Sequence, residues 1–160
     1  PGAEGGDAKK WPTTHFGNVA RHLMGLGFAV AVLGGRGDTA TTAAVSAAAP
    51  GAIDLGGRTR LGDAIDIISA ATAAVGNDTG LMHIAAAVAV PVVGLYGSTA
   101  VGENPPLIQS SEALSLNLTC SPCRQRTCPL QHHRCLVDLA PQLAIAALEK
   151  LLQQPSGATA

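Results

Sequence analysis

Short apolar runs that alternate with helical stretches are the feature that most constrains the fold of this chain. Runs typical of buried strands occur at Phe28–Leu33, Ile53–Leu55, Thr72–Val75, Val92–Tyr96 and Ala113–Leu118. The links between strands and helices are short. Because consecutive parallel strands need a helical crossover, this alternation predicts an α/β domain. We expect a Rossmann-like parallel sheet with helices on both faces.

The helices are expected between these runs and after the last one. They are predicted from a cap at Thr14 to Leu26, from a cap at Asp38 to Ala49, at Leu61–Ala71, at 80–88 and at Pro141–Gln153. The domain should therefore cover residues 1–154, with a disordered tail at Pro155–Ala160. Because Pro1 opens a Gly-rich loop and is not an initiator Met, we interpret the chain as a piece of a longer protein.

The composition suits closely packed layers and argues against two classes of partner. Of 160 residues, 47% are hydrophobic but only 2% are aromatic, so mostly small side chains must form the core. A net charge of −1 predicts no strong attraction to nucleic acid or anionic lipid. The longest apolar stretch, Ile84–Tyr96, contains Pro91 and is too short for a transmembrane segment.

Residues 76–83, Gly-Asn-Asp-Thr-Gly-Leu-Met-His, join a predicted strand to a predicted helix. The first N–H groups of a helix have no partner within it, and with the helix dipole they attract phosphate. Asp78, Thr79 and His83 add side chains that can bind hydroxyl groups and phosphate oxygens. The segment therefore predicts a nucleotide-sugar site at the carboxyl edge of the sheet, where the loops Gly34–Asp38 and Gly97–Asn104 also lie.

Several short motifs follow one another in a specific order along nearly the whole chain. They are Pro1-Gly2-Ala3-Glu4, Ala8-Lys9-Lys10-Trp11-Pro12, the 76–83 segment, Pro91…Leu95-Tyr96-Gly97-Ser98-Thr99, Pro105-Pro106-Leu107, and Cys-Ser-Pro-Cys…Cys-Pro-Leu-Gln-His-His-Arg-Cys. Together they resemble the C-terminal half of lipopolysaccharide heptosyltransferases of glycosyltransferase family 9, particularly the heptosyltransferase II type.

The resemblance implies a GT-B enzyme with two Rossmann-like lobes, of which this chain is the donor-binding one. Such an enzyme transfers heptose, with inversion, from ADP-L-glycero-D-manno-heptose to the lipopolysaccharide inner core. The acceptor lobe, which supplies the carboxylate base, would be absent here, so the fragment alone should be inactive. The resemblance also implies a cytoplasmic location at the inner membrane, which the full protein would contact only peripherally, and no required cofactor.

The same resemblance assigns candidate donor contacts. Lys9 matches a phosphate-contacting lysine that would stabilise the departing ADP, whereas Lys10 is expected to be solvated and Trp11 to anchor the loop. Asp78, Thr79, Gly80, Leu81 and His83 match donor-binding positions, with the 79–81 amides on the diphosphate and Asp78 on heptose hydroxyls. Less specific candidates lie in the two neighbouring loops: Gly35, Arg36, Ser98 and Thr99. Ser98 and Thr99 could equally cap a turn.

Four cysteines lie in the loop 119–136, at Cys120, Cys123, Cys128 and Cys135. Because the resemblance implies a cytosolic enzyme, disulfides are disfavoured. Two alternatives stay open: a structural zinc site of four thiolates, or reduced thiols in a Pro-rich loop.

Two other functions deserve comparison with the donor lobe. A dinucleotide-dependent oxidoreductase would need a G-x-G-x-x-G turn and a later acidic residue, and Gly34-Gly35-Arg36-Gly37 lacks the third glycine. A noncatalytic zinc-bearing interaction module would leave residues 1–12 and 76–83 without a role.

Overall fold

The computed structural model describes residues 1–153, in which helices and strands alternate. The helices are α1 (Thr13–Gly25), α2 (Thr39–Ala48), α3 (Leu61–Ser69), α4 (Gly80–Ala87), α5 (Arg134–Val137) and α6 (Pro141–Gln153). The strands are β1 (Ala31–Val32), β2 (Ile53–Asp54), β3 (Ala74–Asn77), β4 (Val92–Leu95) and β5 (Ser111–Leu114). The tail predicted at Pro155–Ala160 lies outside the described residues. None of the described helices combines the length and apolar character needed to cross a bilayer.

All observed strand pairs are parallel, which confirms the predicted α/β class. β1 pairs with β2, and β3, β4 and β5 form a separate sheet in that order. The strands therefore form two parallel sets, where the sequence predicted a single sheet. The reason is geometric: β1 and β3 are each paired along one edge only, and a cavity separates their other edges.

Helices cover both faces of the three-stranded sheet, as predicted. In β4, Val93 and Leu95 pack into a cluster with residues of α1, α2 and α6, including Phe16 and Leu148. Val92 and the following Tyr96 pack into a second cluster, with residues of α3 and α4. Alternate residues of a strand point to opposite faces, so this division puts a helical layer on each side of the sheet.

Several element boundaries differ from the predictions. α1 begins at Thr13 after Pro12, whose restricted φ suits a helix start, so the cap predicted at Thr14 is wrong. β5 occupies Ser111–Leu114, earlier than predicted, and Asn117, with a φ of 48°, interrupts the extended chain beyond it. The short helix α5 was not predicted from the sequence; its Leu136 is buried in the core.

Close packing of α1 on α2 makes Gly17 sensitive to substitution. A Cβ at Gly17 would lie 2.5 Å from Ala48 Cβ, whereas a Cβ at Gly25, in the same helix, would meet nothing within 4 Å. We expect Gly17→Ala to lower the free energy of unfolding by about 1–3 kcal/mol because the core would be overpacked. Gly25→Ala is the matched control and should change it by less than about 0.5 kcal/mol. Urea denaturation measures both, and equal values would contradict the packing argument.

Candidate functional site

Asp78 is the centre of the site that the structure forms at the end of β3. Its side chain is only 4% exposed, and each carboxylate oxygen has a different partner. Lys9 Nζ lies 3.2 Å from Oδ2 and 3.4 Å from the Asp78 backbone oxygen. His83 Nε2, from the first turns of α4, lies 3.1 Å from Oδ1. The structure thus brings together three of the residues that the sequence predicted as donor contacts.

The turn that carries Lys9 is held in place by Trp11. Lys9 ends a short 3₁₀ turn at Asp7–Lys9, and Trp11 follows two residues later. The Trp11 side chain is 1% exposed, donates from Nε1 to the Leu139 carbonyl at 2.8 Å, and packs edge-to-face on Phe16. Trp11 therefore anchors the loop in the core, as predicted, and its ring is not available to stack on a base. Lys10, by contrast, pairs at the surface with Asp7.

Asn77 connects the same loop to β3, a role that the sequence analysis missed. Its amide is 1% exposed; Oδ1 accepts from the Trp11 backbone N–H at 3.1 Å, and Nδ2 donates to the Pro1 carbonyl at 2.7 Å. Because Asn77 precedes Asp78 directly, these bonds place the Lys9 loop against the carboxylate. The sequence does contain one signal for this role: Asn77 is a polar residue at the end of an apolar strand, immediately before a candidate site residue.

The surroundings of Asp78 keep its carboxylate ionised at neutral pH. Burial alone would raise the pKa of Asp78, but hydrogen bonding by Thr99, Lys9 and His83, together with the Lys9 charge, lowers it below its usual value. A buried anion paired with a cation and an imidazole can orient both of these groups toward a ligand.

The start of α4 presents free backbone donors beside Asp78. Thr79 is the N-cap residue, but its side chain makes no capping hydrogen bond. Within the described part of the chain, the Gly80 and Leu81 amides have no backbone acceptor. A helix start with unpaired N–H groups favours an anionic ligand. Gly80 is exposed and Leu81 is half-buried, so a ligand can approach this end of the helix.

Two hydroxyl groups after β4 lie at the same edge of the sheet. β3 and β4 are parallel, with Asn77 opposite Leu95, so the segments that follow them are neighbours. The Ser98 side-chain oxygen is buried and has no hydrogen-bond partner among residues 1–153, whereas the Thr99 hydroxyl lies beside the Asp78 carboxylate, whose pKa it helps to lower. Buried hydroxyls normally find partners, so Ser98 is available to a ligand that enters beside Asp78. Tyr96 holds the loop by donating from its hydroxyl to the Asn104 carbonyl at 2.6 Å.

Gly35 and Arg36 lie in a neighbouring loop, and no described hydrogen bond joins them to this cluster. The Gly35 N–H donates to Asp38 Oδ2 at 3.2 Å, which shapes the turn before α2. Both residues are exposed, and between Pro1 and Gln153 no hydrogen bond or ion pair joins Arg36 to Lys9 or Asp78. A role for Gly35 and Arg36 in donor binding stays a prediction.

The cysteine-rich loop, residues 119–136, is hydrogen-bonded to two segments of the site. The Arg124 N–H donates to the Ser98 carbonyl at 2.7 Å, and the Ala8 N–H donates to the Arg126 carbonyl at 3.1 Å. The loop therefore contacts both the Lys9 turn and the segment that carries Ser98. These contacts give it a structural role that needs no metal.

The four cysteines of that loop are free and partly buried. Backbone N–H groups, foremost that of His133, lower the pKa of Cys128, whereas burial raises the pKa of Cys135. No three His, Cys, Asp or Glu side chains of the described chain are arranged to hold a metal ion. The zinc site at Cys120, Cys123, Cys128 and Cys135 stays a prediction.

Comparison with known proteins identifies the family to which this arrangement belongs. The model of glycosyltransferase family 9 (heptosyltransferase) matches residues 1–134, which include every residue of the site. This chain belongs to glycosyltransferase family 9. The oxidoreductase and the zinc-bearing interaction module therefore find no support.

Curated relatives of this family 9 chain include heptosyltransferases from several bacteria. It is 37% identical to lipooligosaccharide heptosyltransferase 2 of Haemophilus influenzae, over 95% of this chain and 46% of the relative. It is 35% identical to lipopolysaccharide heptosyltransferase 2 of Escherichia coli, over 96% of this chain and 46% of the relative. The chain thus spans about half the length of the relatives it matches.

Solved structures confirm the fold of the family 9 chain. It resembles E. coli ADP-heptose lps heptosyltransferase II with a TM-score of 0.83 and 34% identity, over 95% of this chain and 44% of that one. It also resembles a family 9 glycosyltransferase from Veillonella parvula, with a TM-score of 0.80 and 23% identity, over 94% of this chain and 44% of that one. The Rossmann-like GT-B lobe predicted from the sequence is confirmed.

Proposed function

We propose that this chain is the donor-binding lobe of an inverting heptosyltransferase that uses ADP-L-glycero-D-manno-heptose. The observation that carries the proposal is the convergence of Lys9, Asp78 and His83 at the free start of α4. Membership of glycosyltransferase family 9 supports this substrate class. The H. influenzae and E. coli relatives described above are both heptosyltransferases 2.

In this proposal the site divides the donor between its anionic and its sugar parts. The Thr79, Gly80 and Leu81 amides and the Lys9 ammonium bind the diphosphate, since they supply N–H donors and positive charge. Asp78 and His83 accept and donate hydrogen bonds to heptose hydroxyls, because a lone carboxylate beside a diphosphate would repel it. Ser98, with its unpartnered hydroxyl, and Thr99, beside Asp78, add donors to phosphate oxygens.

The reaction follows from this placement. An acceptor hydroxyl of the lipopolysaccharide inner core attacks the anomeric carbon from the face opposite ADP. The new C–O bond forms as the bond to the β-phosphate oxygen breaks, and a base in the other lobe takes the hydroxyl proton. Negative charge grows on the departing ADP, where Lys9 and the α4 amides stabilise it more than they stabilise the bound donor.

In this proposal, acceptor binding and cellular location are properties of the longer protein. The acceptor side and the base come from an N-terminal lobe outside this chain. The complete enzyme works at the cytoplasmic face of the inner membrane, where its lipid-linked acceptor would be found, and contacts that membrane peripherally.

A titration of the isolated chain tests donor binding. Addition of ADP or ADP-heptose should shift the backbone amide resonances of residues 9 and 78–83, measured by ¹⁵N–¹H NMR. The shifts should be largest at Gly80 and Leu81, because their N–H groups would gain acceptors. We expect weak binding and no turnover, since half of the cleft is missing.

NAD at the same concentrations is the matched comparison in this titration, since it contains ADP without the heptose. Binding of NAD in preference to ADP-heptose would contradict the proposal, as would shifts confined to residues far from 9 and 78–83.

A further inference from the structure

Tyr96, the first residue after β4, lies next to the candidate site. Its side chain is fully buried and packs in one cluster with Met82 of α4. The ring passes over Gly94, two residues earlier on the same face of the strand, where a Cβ would lie 2.8 Å from Tyr96 Cε2. Between these two residues, the Leu95 carbonyl accepts the Asp78 N–H at 3.2 Å. The strand that carries the Tyr96 ring is therefore bonded directly to the residue at the centre of the site.

The Tyr96 hydroxyl joins β4 to the far end of the loop that follows it. It donates to the Asn104 carbonyl at 2.6 Å, which closes residues 97–104 into a compact loop. Burial and the charge of Asp78 raise the pKa of Tyr96 above its usual value, so the hydroxyl stays a neutral donor. Asn104 is exposed to solvent, so this buried donor, rather than side-chain packing, fixes that end of the loop.

The near end of the same loop is held by a different part of the chain. The Arg124 N–H, in the cysteine-rich loop, donates to the Ser98 carbonyl at 2.7 Å. Thr99 follows directly, and its hydroxyl lies beside the Asp78 carboxylate. Because both ends of the loop are fixed, Thr99 has little freedom to move away from Asp78.

We propose that Tyr96 is a positioning residue, whose hydroxyl holds the loop 97–104 closed and so keeps Thr99 at the Asp78 carboxylate. Tyr96 touches no ligand in this assignment. It acts through Thr99, because a loop freed at its far end can carry Thr99 away from the carboxylate. The effect on Asp78 follows from the contacts within the chain, whereas any effect on donor binding rests on the proposed function.

The ionisation of Asp78 reports the position of Thr99, because it depends on the groups that face the carboxylate. These are Lys9 from the 3₁₀ turn, His83 from α4 and Thr99 from the loop after β4, with the neutral Tyr96 phenol nearby. Burial raises the pKa of Asp78, and hydrogen bonds from the first three groups, with the Lys9 charge, lower it. Loss of the Thr99 contact alone should therefore raise this pKa.

Titration of the Asp78 carboxyl by ¹³C NMR in the isolated chain tests the proposal without a donor. Tyr96→Phe keeps the buried ring and removes only the hydroxyl, and Thr99→Val removes the hydroxyl beside Asp78. We expect each variant to raise the pKa of Asp78. The double variant should raise it no further than Thr99→Val alone, because Tyr96 acts through Thr99. Additive increases, or an unchanged pKa in Tyr96→Phe, would overturn the proposal.

The matched control is Ser111→Ala. The Ser111 hydroxyl donates to the Ile108 carbonyl at 2.7 Å, in the same connection between β4 and β5 but outside the loop 97–104. The control removes the same kind of bond, hydroxyl to backbone carbonyl, so it separates a general loss of stability from a change at Asp78. Its Asp78 pKa should equal that of the parent. An equal rise in the control and in Tyr96→Phe would overturn the specific role of Tyr96.

The full-length protein covers the case in which Tyr96→Phe does not fold as an isolated chain. The same titration is then made there, and failure of the variant to fold in that form too would mean that the hydroxyl serves the fold alone and would overturn the proposal.

Steady-state kinetics of the full-length protein measure the consequence for the donor. With ADP-heptose as the varied substrate, the donor KM of Tyr96→Phe should rise about 3- to 10-fold, the loss expected for one hydrogen bond. The kcat value should change much less, because the loop orients Asp78 equally before and during the reaction. A loss confined to kcat would contradict a positioning role. If the parent protein does not use ADP-heptose, the proposed function fails, and the Asp78 titration still decides the role of Tyr96.

Discussion

Under the proposed function, replacing Lys9 with alanine in the full-length protein is expected to lower kcat for heptose transfer by about 10²–10³-fold, a loss typical of removing one preorganised donor to a developing charge. The Lys9 ammonium is held 3.2 Å from Asp78 Oδ2, so in this proposal its position is already fixed for the departing ADP. The effect should fall mainly on kcat, because the leaving ADP carries more charge in the transition state than in the bound donor. Steady-state kinetics with ADP-heptose as the varied substrate measures the change.

The neighbouring Lys10 provides the control for this experiment. Its ammonium pairs with Asp7 at 2.9 Å on the surface, and such exposed pairs contribute little. Lys10→Ala should therefore leave kcat and the donor KM nearly unchanged, although it removes the same charge from the same loop. Equal losses in the two variants would mean that Lys9 acts only through general electrostatics, and unchanged turnover in Lys9→Ala would remove its assigned role.

Replacing Asn77 with alanine is expected to have the largest effect on stability among substitutions near the site. It would leave the buried Trp11 N–H and the Pro1 carbonyl without partners, at a cost of roughly 1–3 kcal/mol for each such group. The Lys9 loop would lose its connection to β3, so donor affinity should fall with stability. Urea denaturation measures the first effect, and ADP titration under folded conditions measures the second. Asn18→Ala, which removes a half-buried amide of α1 that bonds the exposed Arg21 side chain, is the control and should stay within about 0.5 kcal/mol of the parent.

The Asn77→Asp variant separates the two bonds of this side chain. The carboxylate keeps an acceptor for Trp11 but cannot donate to Pro1, and it adds a second buried negative charge beside Asp78. Burial and that charge raise the pKa of the new carboxyl above its unfolded value, so protonation stabilises the folded variant. The free energy of unfolding of the variant should therefore lie closer to that of the parent as the pH falls. A deficit independent of pH would contradict the buried surroundings described for the side chain of residue 77.

The local pattern of the chain was enough to predict most of its elements. The run at Val92–Tyr96 became a fully buried strand, and Pro141–Gln153 became a helix with the predicted bounds. β5 could not be placed as well, because its residues are only half-buried and its register depends on pairing with β4. The division into two sheets also escaped prediction, since it depends on which edges find partners in space.

The candidate site shows the same division between local and tertiary information. Residues 76–83 predicted a phosphate-binding helix start, and α4 begins there at Gly80. The resemblance assigned Lys9 to the donor, but only the tertiary structure decided that Lys9 contacts Asp78, 69 residues away, and that Asn77 joins the two segments. Tyr96 and the cysteine-rich loop likewise gained supporting roles only from their contacts.

By itself, the sequence determined the parallel α/β class, the order of helices and strands, and the helix start with unpaired N–H groups at Gly80. These features follow from the spacing of hydrophobic residues and from local helix geometry. The tertiary structure alone decided the Lys9–Asp78–His83 cluster, the bridging role of Asn77 and the cavity between β1 and β3. Each of these depends on how distant segments pack, and no local pattern records which buried polar group will meet which partner. The physical reason is that burial makes unpaired polar groups costly, so the fold as a whole selects their partners.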